Sequence, residues 1–263
     1  MPYERLEPGT KEWDLYFANH QSRYAFAVGE LEKVTCTTIL DAATGVGYGA
    51  HYMAQHFPHK KLLAIDRNED ALQIAKAQFK TANLQFLYDD CEKFESVPQH
   101  GPFDAIISFE TLEHLPNPQK FLQNCFDVLS ENGLLVISTP NQWVSSPSGT
   151  NNWEFHEKEY KPEELIDLLS AQGFSNIRLY GQQLTAIGLL RQQMRGELNK
   201  LHSNPFTRIG KKLQSLVRGA RFNSILPEQP EDFEIVSYPD PDCISRKGST
   251  GPFVLIAVCT KQN

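Results

Sequence analysis

The chain has no excess of positive charge, no cysteine framework and no long apolar run. Its 25 basic and 32 acidic residues leave a net charge of −7, which excludes a general nucleic-acid coat as the main feature of its surface. Its five cysteines, Cys36, Cys91, Cys125, Cys243 and Cys259, are an odd number with no CxxC among them. Neither a disulfide scaffold nor a zinc knuckle is indicated, and reduced thiols in the cytoplasm are the expectation. No apolar stretch approaches the ~18 residues of a membrane span. The start of the chain carries Glu4, Glu7, Lys11, Glu12 and Asp14 where a secretory leader would be apolar. Internal repeats and recognised RNA-binding motifs are also missing. A length of 263 residues suits one large α/β domain with an elaboration.

What is present is organised around Ile39-Leu40-Asp41-Ala42-Ala43-Thr44-Gly45-Val46-Gly47-Tyr48-Gly49. An apolar run ends at an acid, and three glycines follow at alternate positions. This reads as a buried strand, a tight turn whose backbone can approach a ligand, and a helix from Tyr48 whose first amides face the same space. Downstream, strands are expected at Lys61–Ile65, Leu84–Tyr88, Phe103–Ser108 and Gly133–Ser138, alternating with helices at about 69–80 and 118–129. That order implies a doubly wound parallel sheet with ligands beyond the carboxyl ends of the strands. Asp41, Asp66, the pair Asp89-Asp90 and Ser108-Phe109-Glu110 all fall at such ends. Asp66, 21 positions after Gly45, suits the two hydroxyls of a ribose, or else a helix cap. Asp90, with Asp89 as an equal alternative, suits an adenine amino group between apolar walls from Phe86, Leu87 and Cys91.

These motifs together resemble a class I S-adenosylmethionine (SAM)-dependent methyltransferase. The likeness rests on Leu40-Asp41, the G-x-G-x-G of Gly45, Gly47 and Gly49, Ile65-Asp66, Asp89-Asp90, and Phe103-Asp104 through Glu110-Thr-Leu-Glu113-His114-Leu. It covers roughly residues 20–181. It implies a Rossmann-like seven-stranded sheet, six strands parallel and the last antiparallel, with an N-terminal helical cap (1–35), a SAM-binding core (36–181), a helical insert (182–250) and a final strand (251–263). It also implies cofactor contacts at Tyr24, Asp41, Ala42, Ala43, Thr44, Gly45, Gly47, Gly49, Asp66, Arg67, Asp89, Asp90, Cys91 and Phe109. The stretch His20-Gln-Ser-Arg23-Tyr24-Ala-Phe26 resembles the entry helix of a bacterial subgroup associated with glycan pathways. In one respect the loop departs from the family: Ala42-Ala43-Thr44 brings Cβ atoms into a turn that is usually more permissive.

A second cluster, Glu110-x-x-Glu113-His114 with the distal His156, sets two carboxylates and two imidazoles within reach of one cation. Mixed N and O ligation suits Mn, Fe, Co or Zn, and all-oxygen ligation suits Mg. The pattern is similar to that of small-RNA 3′-terminal 2′-O-methyltransferases, and its first part to ubiquinone-pathway O-methyltransferases. Three readings of the cluster stand side by side: a metal that holds substrate oxygens, a metal-free base at His114 or His156 with Glu110, and a solvated helix start.

From Gln182 to Asn223 the insert has eight basic residues against one acid, and it turns acidic and proline-rich thereafter. Leu184, Ile187, Leu190 and Met194, then Ile209, Leu213, Leu216 and Val217, fall at the spacing of amphipathic helical stripes. The segment reads as a helical lid, an anionic-acceptor surface or a contact for an acidic membrane. The expected function is SAM-dependent O-methylation of a sugar or glycan-precursor hydroxyl. The alternatives are RNA 3′-terminal 2′-O-methylation, a quinone or polyphenol acceptor, and a SAM-binding regulatory protein without chemistry. The glycine spacing disfavours a nicotinamide oxidoreductase.

Overall fold

A computed structural model describes residues 8–149, 154–203, 228–237 and 251–262. The helices are α1 (Lys11–Leu31), α2 (Tyr48–His56), α3 (Glu69–Gln78), α4 (Pro118–Val128), the short α5 (Gln142–Ser145), α6 (Pro162–Ala171) and α7 (Ala186–Ser203). The strands are β1 (Thr38–Ala42), β2 (Lys61–Asp66), β3 (Leu84–Tyr88), β4 (Phe103–Phe109), β5 (Leu129–Pro140), β6 (Phe174–Leu184), β7 (Phe233–Ser237) and β8 (Val254–Lys261). The chain divides into two compact units, residues 23–183 with 235–263, and residues 1–22 with 184–234.

The first unit carries the sheet, in the order β3-β2-β1-β4-β5-β8-β6-β7. β1 pairs in parallel with β2 and β4, β2 with β3, and β4 with β5. β8 lies antiparallel between β5 and β6, as the resemblance implied. Among the described residues the sheet has eight strands rather than seven. The extra one, β7, lies in the stretch expected as helical insert. After a turn of 3-10 helix at Pro230–Asp232, Phe233-Glu-Ile-Val-Ser continues as a short edge strand.

Side chains alternate between the two faces, as the period of a strand requires. Leu40, Ile106, Leu135, Ile137, Leu255 and Ala257 pack with Phe121, Leu122, Leu165 and Leu169 of α4 and α6. Ile39, Ala105, Ile107, Val136, Ile256 and Val258 pack with Ala27, Val28 and Leu31 of α1 and Met53 and Ala54 of α2. Both faces are covered, which is why the strands read as nearly continuous apolar runs. The helices begin where the sequence provides caps. Asn68 accepts from the Ala71 amide and Asn117 from the Lys120 amide, and prolines open α4 and α6.

In the other unit, the Asp232 carbonyl accepts from the Thr185 amide, and its buried carboxylate pairs with Arg191 at 2.9 Å. Ile187, Leu190 and Met194 on α7 are exposed, so the apolar stripe expected there is not folded inward. The stripe expected over Ile209 to Val217, together with Asn151-Asn152-Trp153 and Cys243, lies outside the described residues.

The order of the sheet reverses between β1 and β4, and the glycine turn leaves β1 at that switch point. The sequence suggested one role for its three glycines, but the structure gives each its own. A Cβ on Gly45 would meet open space, so this is the position where a ligand can come close to the backbone. A Cβ on Gly47, at φ +83°, would lie 2.6 Å from the Phe86 ring, and one on Gly49 would lie 1.9 Å from the Tyr24 ring. Those two glycines make room for the protein's own aromatics. Ala43 is left-handed at φ +64°, a conformation that a Cβ penalises.

Two substitutions test this turn. Ala43→Gly relieves the strained backbone and should stabilise the protein by about 1 kcal/mol. Gly49→Ala overpacks the Tyr24 contact and should cost about 1–3 kcal/mol. Denaturant unfolding of both variants beside the parent chain checks the two signs.

Candidate active site

Asp41 ends β1 with 1 % of its surface exposed. Its carboxylate accepts from the Thr44 hydroxyl at 2.6 Å and from the Tyr24 hydroxyl at 3.5 Å. Burial pushes its pKa up to about 7, although the two hydroxyl bonds pull the other way. Ala42 and Ala43 continue the chain into the turn, and the Thr44 amide donates to the Ile65 carbonyl. Asp66, at the end of β2, accepts from the Gly45 amide on one oxygen and from the Asn68 amide on the other, each at 2.8 Å. The cap of α3 is therefore Asn68, and Asp66 ties the glycine turn to β2. A carboxylate has about four acceptor positions, so these two bonds do not exhaust it. Arg67 beside it is exposed.

The pair after β3 divides. Asp89 is buried and accepts from the amides of Asp90, Glu95, Ser96 and Val97, so its carboxylate is committed to holding its own loop. Asp90 is half-buried; it accepts from the Glu92 amide and lies 3.8 Å from Lys93. The three apolar neighbours expected to form walls around one ligand also divide. Cys91 and Leu87 belong to the α4 and α6 face of the sheet, whereas Phe86 packs on the opposite face with Ala50, Leu72 and Ala75. Strand alternation turns Phe86 away from Leu87.

Around Tyr24, the ring of Phe109 lies edge-on at 5.0 Å and that of Tyr48 at 5.8 Å. Arg23 is almost wholly buried and donates to the Gln182 side chain at 2.7 Å. Its positive charge favours the ionised forms of Tyr24, Tyr48 and Glu113.

In the cluster of Glu110, Glu113, His114 and His156, Glu110 directly follows β4 in a left-handed conformation, φ +52°. Its side chain accepts from the Ser138 hydroxyl at 2.8 Å, which draws it toward β5. Leu112–His114 is one turn of 3-10 helix. Among the described residues, ligand atoms of Glu113, His114 and His156 lie within 4.8 Å of one another, and Glu110 is not part of that group. The two imidazole rings are 4.9 Å apart and nearly perpendicular. The Glu113 carboxyl, 1 % exposed, accepts from Thr139; burial, and then the charge of Glu110, push its pKa well up.

Each histidine is oriented through Nδ1. That of His114 lies 2.9 Å from the Phe155 carbonyl, and that of His156 lies 2.9 Å from the Glu159 carboxylate. Against these acceptors Nδ1 carries the proton, so Nε2 is the acceptor nitrogen of each ring, and that of His114 lies 3.8 Å from a Glu113 carboxyl oxygen. Glu159 was not singled out from the sequence. It is buried, and bonds from His156, Ser145 and Ser146 outweigh the cost of burial and hold its pKa below the ordinary range. The spacing His156-x-x-Glu159 was its one signal. The backbone completes the enclosure: the Glu113 carbonyl accepts from the amides of Glu157 and Lys158.

Comparison with known proteins follows this geometry. Residues 34–193 match the family model described as a methyltransferase domain. A probable SAM-dependent methyltransferase of Mycobacterium tuberculosis is 28 % identical over 179 residues, covering 68 % of this chain and 62 % of the relative. The match thus spans about three-fifths of that relative's length. A ubiquinone biosynthesis O-methyltransferase of Glaesserella parasuis is 32 % identical over 137 residues, 44 % of this chain and 57 % of that one. A crystal structure of a SAM-dependent methyltransferase from Thermotoga maritima, described as a possible histamine N-methyltransferase, superposes with a TM-score of 0.58 at 14 % identity. It covers 96 % of this chain and 93 % of that one, and the likeness is one of fold. With the switch-point turn, the antiparallel β8 and the family match in agreement, the chain belongs to the class I SAM-dependent methyltransferases.

Proposed function

We propose that the protein transfers the methyl group of SAM to a hydroxyl oxygen of a small hydroxylated acceptor, a sugar or glycan precursor, beside a divalent ion held by Glu113, His114 and His156. The observation that carries this reading is the convergence of ligand atoms of Glu113, His114 and His156 to within 4.8 Å of one another, with each imidazole oriented through Nδ1 and the carboxylate buried. A buried carboxylate without a cation is costly, and a site with two imidazole nitrogens and one oxygen suits Mn, Fe, Co or Zn better than Mg. Bound there, such an ion lowers the pKa of a hydroxyl on it and orients that oxygen. Glu159 keeps the His156 ring in place, and Thr139 does the same for Glu113.

The cofactor contacts follow the ends of the strands. SAM supplies an electrophilic methyl group on a sulfonium. Gly45 allows close approach of the methionine part, and Asp41 faces its ammonium. Asp66 takes the ribose hydroxyls with its remaining acceptor positions. Asp90, rather than the committed Asp89, takes the adenine amino group, with Leu87 and Cys91 as the apolar wall. Arg23, with Tyr24 and Tyr48, suits the carboxylate end. The ring of Phe109 helps exclude water from the reacting atoms. Glu110 keeps its charge near the acceptor through the Ser138 bond.

Metal analysis and methyl transfer from SAM to nucleotide sugars, before and after chelation, test this reading. Chelation should abolish transfer, and Mn, Co or Zn should restore it. Glu113→Gln and His156→Ala should each lower kcat/KM by about 100-fold, and Glu159→Gln by about 10–100-fold, with binding of S-adenosylhomocysteine (SAH) retained. Full activity in the chelated enzyme would return the cluster to a metal-free base, and transfer to short RNA alone would replace the acceptor.

Asp41 adds a pH dependence. Its pKa is raised from 3.8 to about 7 in the folded chain. The native state therefore keeps a proton that the unfolded chain has lost, so this group makes the cofactor-free protein less stable as pH rises across that interval. Ionised Asp41 attracts the ligand ammonium, so SAH affinity measured by calorimetry should rise from pH 6 to pH 8. In Asp41→Asn that rise should disappear.

A further inference from the structure

A cavity of about 330 Å³ opens between the start of α4, the chain leading to Tyr160, and α6. We propose that it is the subsite for the hydroxylated ring of the acceptor; the choice of ligand rests on the hydroxyl-acceptor reading above. Its volume is at the small end of the range for small-molecule sites. Leu115, Pro116 and Leu168 provide an apolar floor, against which the C–H face of a sugar ring can pack. Tyr160 lines the cavity with 2 % of its surface exposed, and its hydroxyl finds no hydrogen-bond partner among the described residues. A buried hydroxyl without a partner is costly; it is shielded in the free protein, and a ligand hydroxyl reaches it when the side chains over it move aside.

The rest of the lining selects the kind of ligand. Lys158 and Gln119 offer donors, while Glu157 and Glu164 offer acceptors. Lys158 lies 3.7 Å from Glu164 and 5.0 Å from the centre of the Tyr160 ring. Mixed donors and acceptors over an apolar floor match a ring whose hydroxyls both give and accept hydrogen bonds. Two carboxylates against one ammonium leave the rim negative, which opposes a phosphodiester and so an RNA end. The cavity also adjoins the proposed reaction centre. The amides of Glu157 and Lys158 both donate to the Glu113 carbonyl, and the charge of Glu113 acts on Tyr160.

Saturation-transfer NMR on the full chain loaded with SAH tests this. The probes are methyl α-D-glucopyranoside, methyl α-D-galactopyranoside and methyl α-L-rhamnopyranoside, with a uridylyl dinucleotide as the phosphodiester arm. All measurements are made in EDTA, so glycoside binding by the metal-free protein leaves the cavity assignment standing even where the metal reading fails. At least one glycoside should bind. Gln119→Trp, which fills the cavity from an exposed helix position, should weaken it by about tenfold, and Tyr160→Phe by about threefold. SAH affinity should stay unchanged in both variants, which certifies the fold. The assignment is overturned by a chain that binds SAH but no glycoside, by glycoside binding that Gln119→Trp leaves intact, or by binding of the dinucleotide alone.

Discussion

The ring of Tyr24 lies directly over Gly49, so close that no side chain fits between them. Through this contact α1 is locked to the start of α2. The same ring meets Phe109 at the end of β4, and its hydroxyl reaches Asp41 at the end of β1. One side chain thus fixes four elements around the switch point of the sheet. The electrostatics depend on this packing. Because the aromatics close over Asp41, water is excluded and its carboxyl holds a proton far above the ordinary range.

The backbone at the ends of the strands is strained at two positions, Ala43 and Glu110, both left-handed without being glycine. Such conformations persist only where neighbours over-determine them. Ala43 is followed by Thr44, whose amide bonds to Ile65 and whose hydroxyl bonds to Asp41. Glu110 is held by both backbone and side-chain bonds to Ser138. The strain sits where the chain leaves β1 and β4, on either side of the crevice in which such sheets bind ligands.

The histidine pair shows how support from outside a cluster orients its members. Two imidazoles near a carboxylate are common on protein surfaces. Here each ring is oriented by an acceptor on Nδ1, and one of those acceptors, Glu159, is itself held by Ser145 and Ser146. Such supporting shells set both the tautomer and the orientation of the ring.

Local pattern in the chain was enough for the parallel sheet and the glycine turn, because period and turn residues are properties of neighbouring residues. The cap of α3, for which Asp66 was the candidate, fell to Asn68. The family resemblance added the antiparallel place of β8 and the identity of the cofactor. Packing over long sequence distances decided the rest. It set Phe86 and Tyr24 against Gly47 and Gly49, because the Cβ direction at those positions meets aromatics from β3 and α1. It committed Asp89 to four amides and spared Asp90, a distinction that adjacent acids do not show in a sequence. It drew Glu110 away to Ser138, and it brought Glu159 behind His156 through hydroxyls supplied by Ser145 and Ser146. Hydrogen-bond partners between distant segments exist only once the backbone has closed, so the residues that orient the site became visible only in the folded chain.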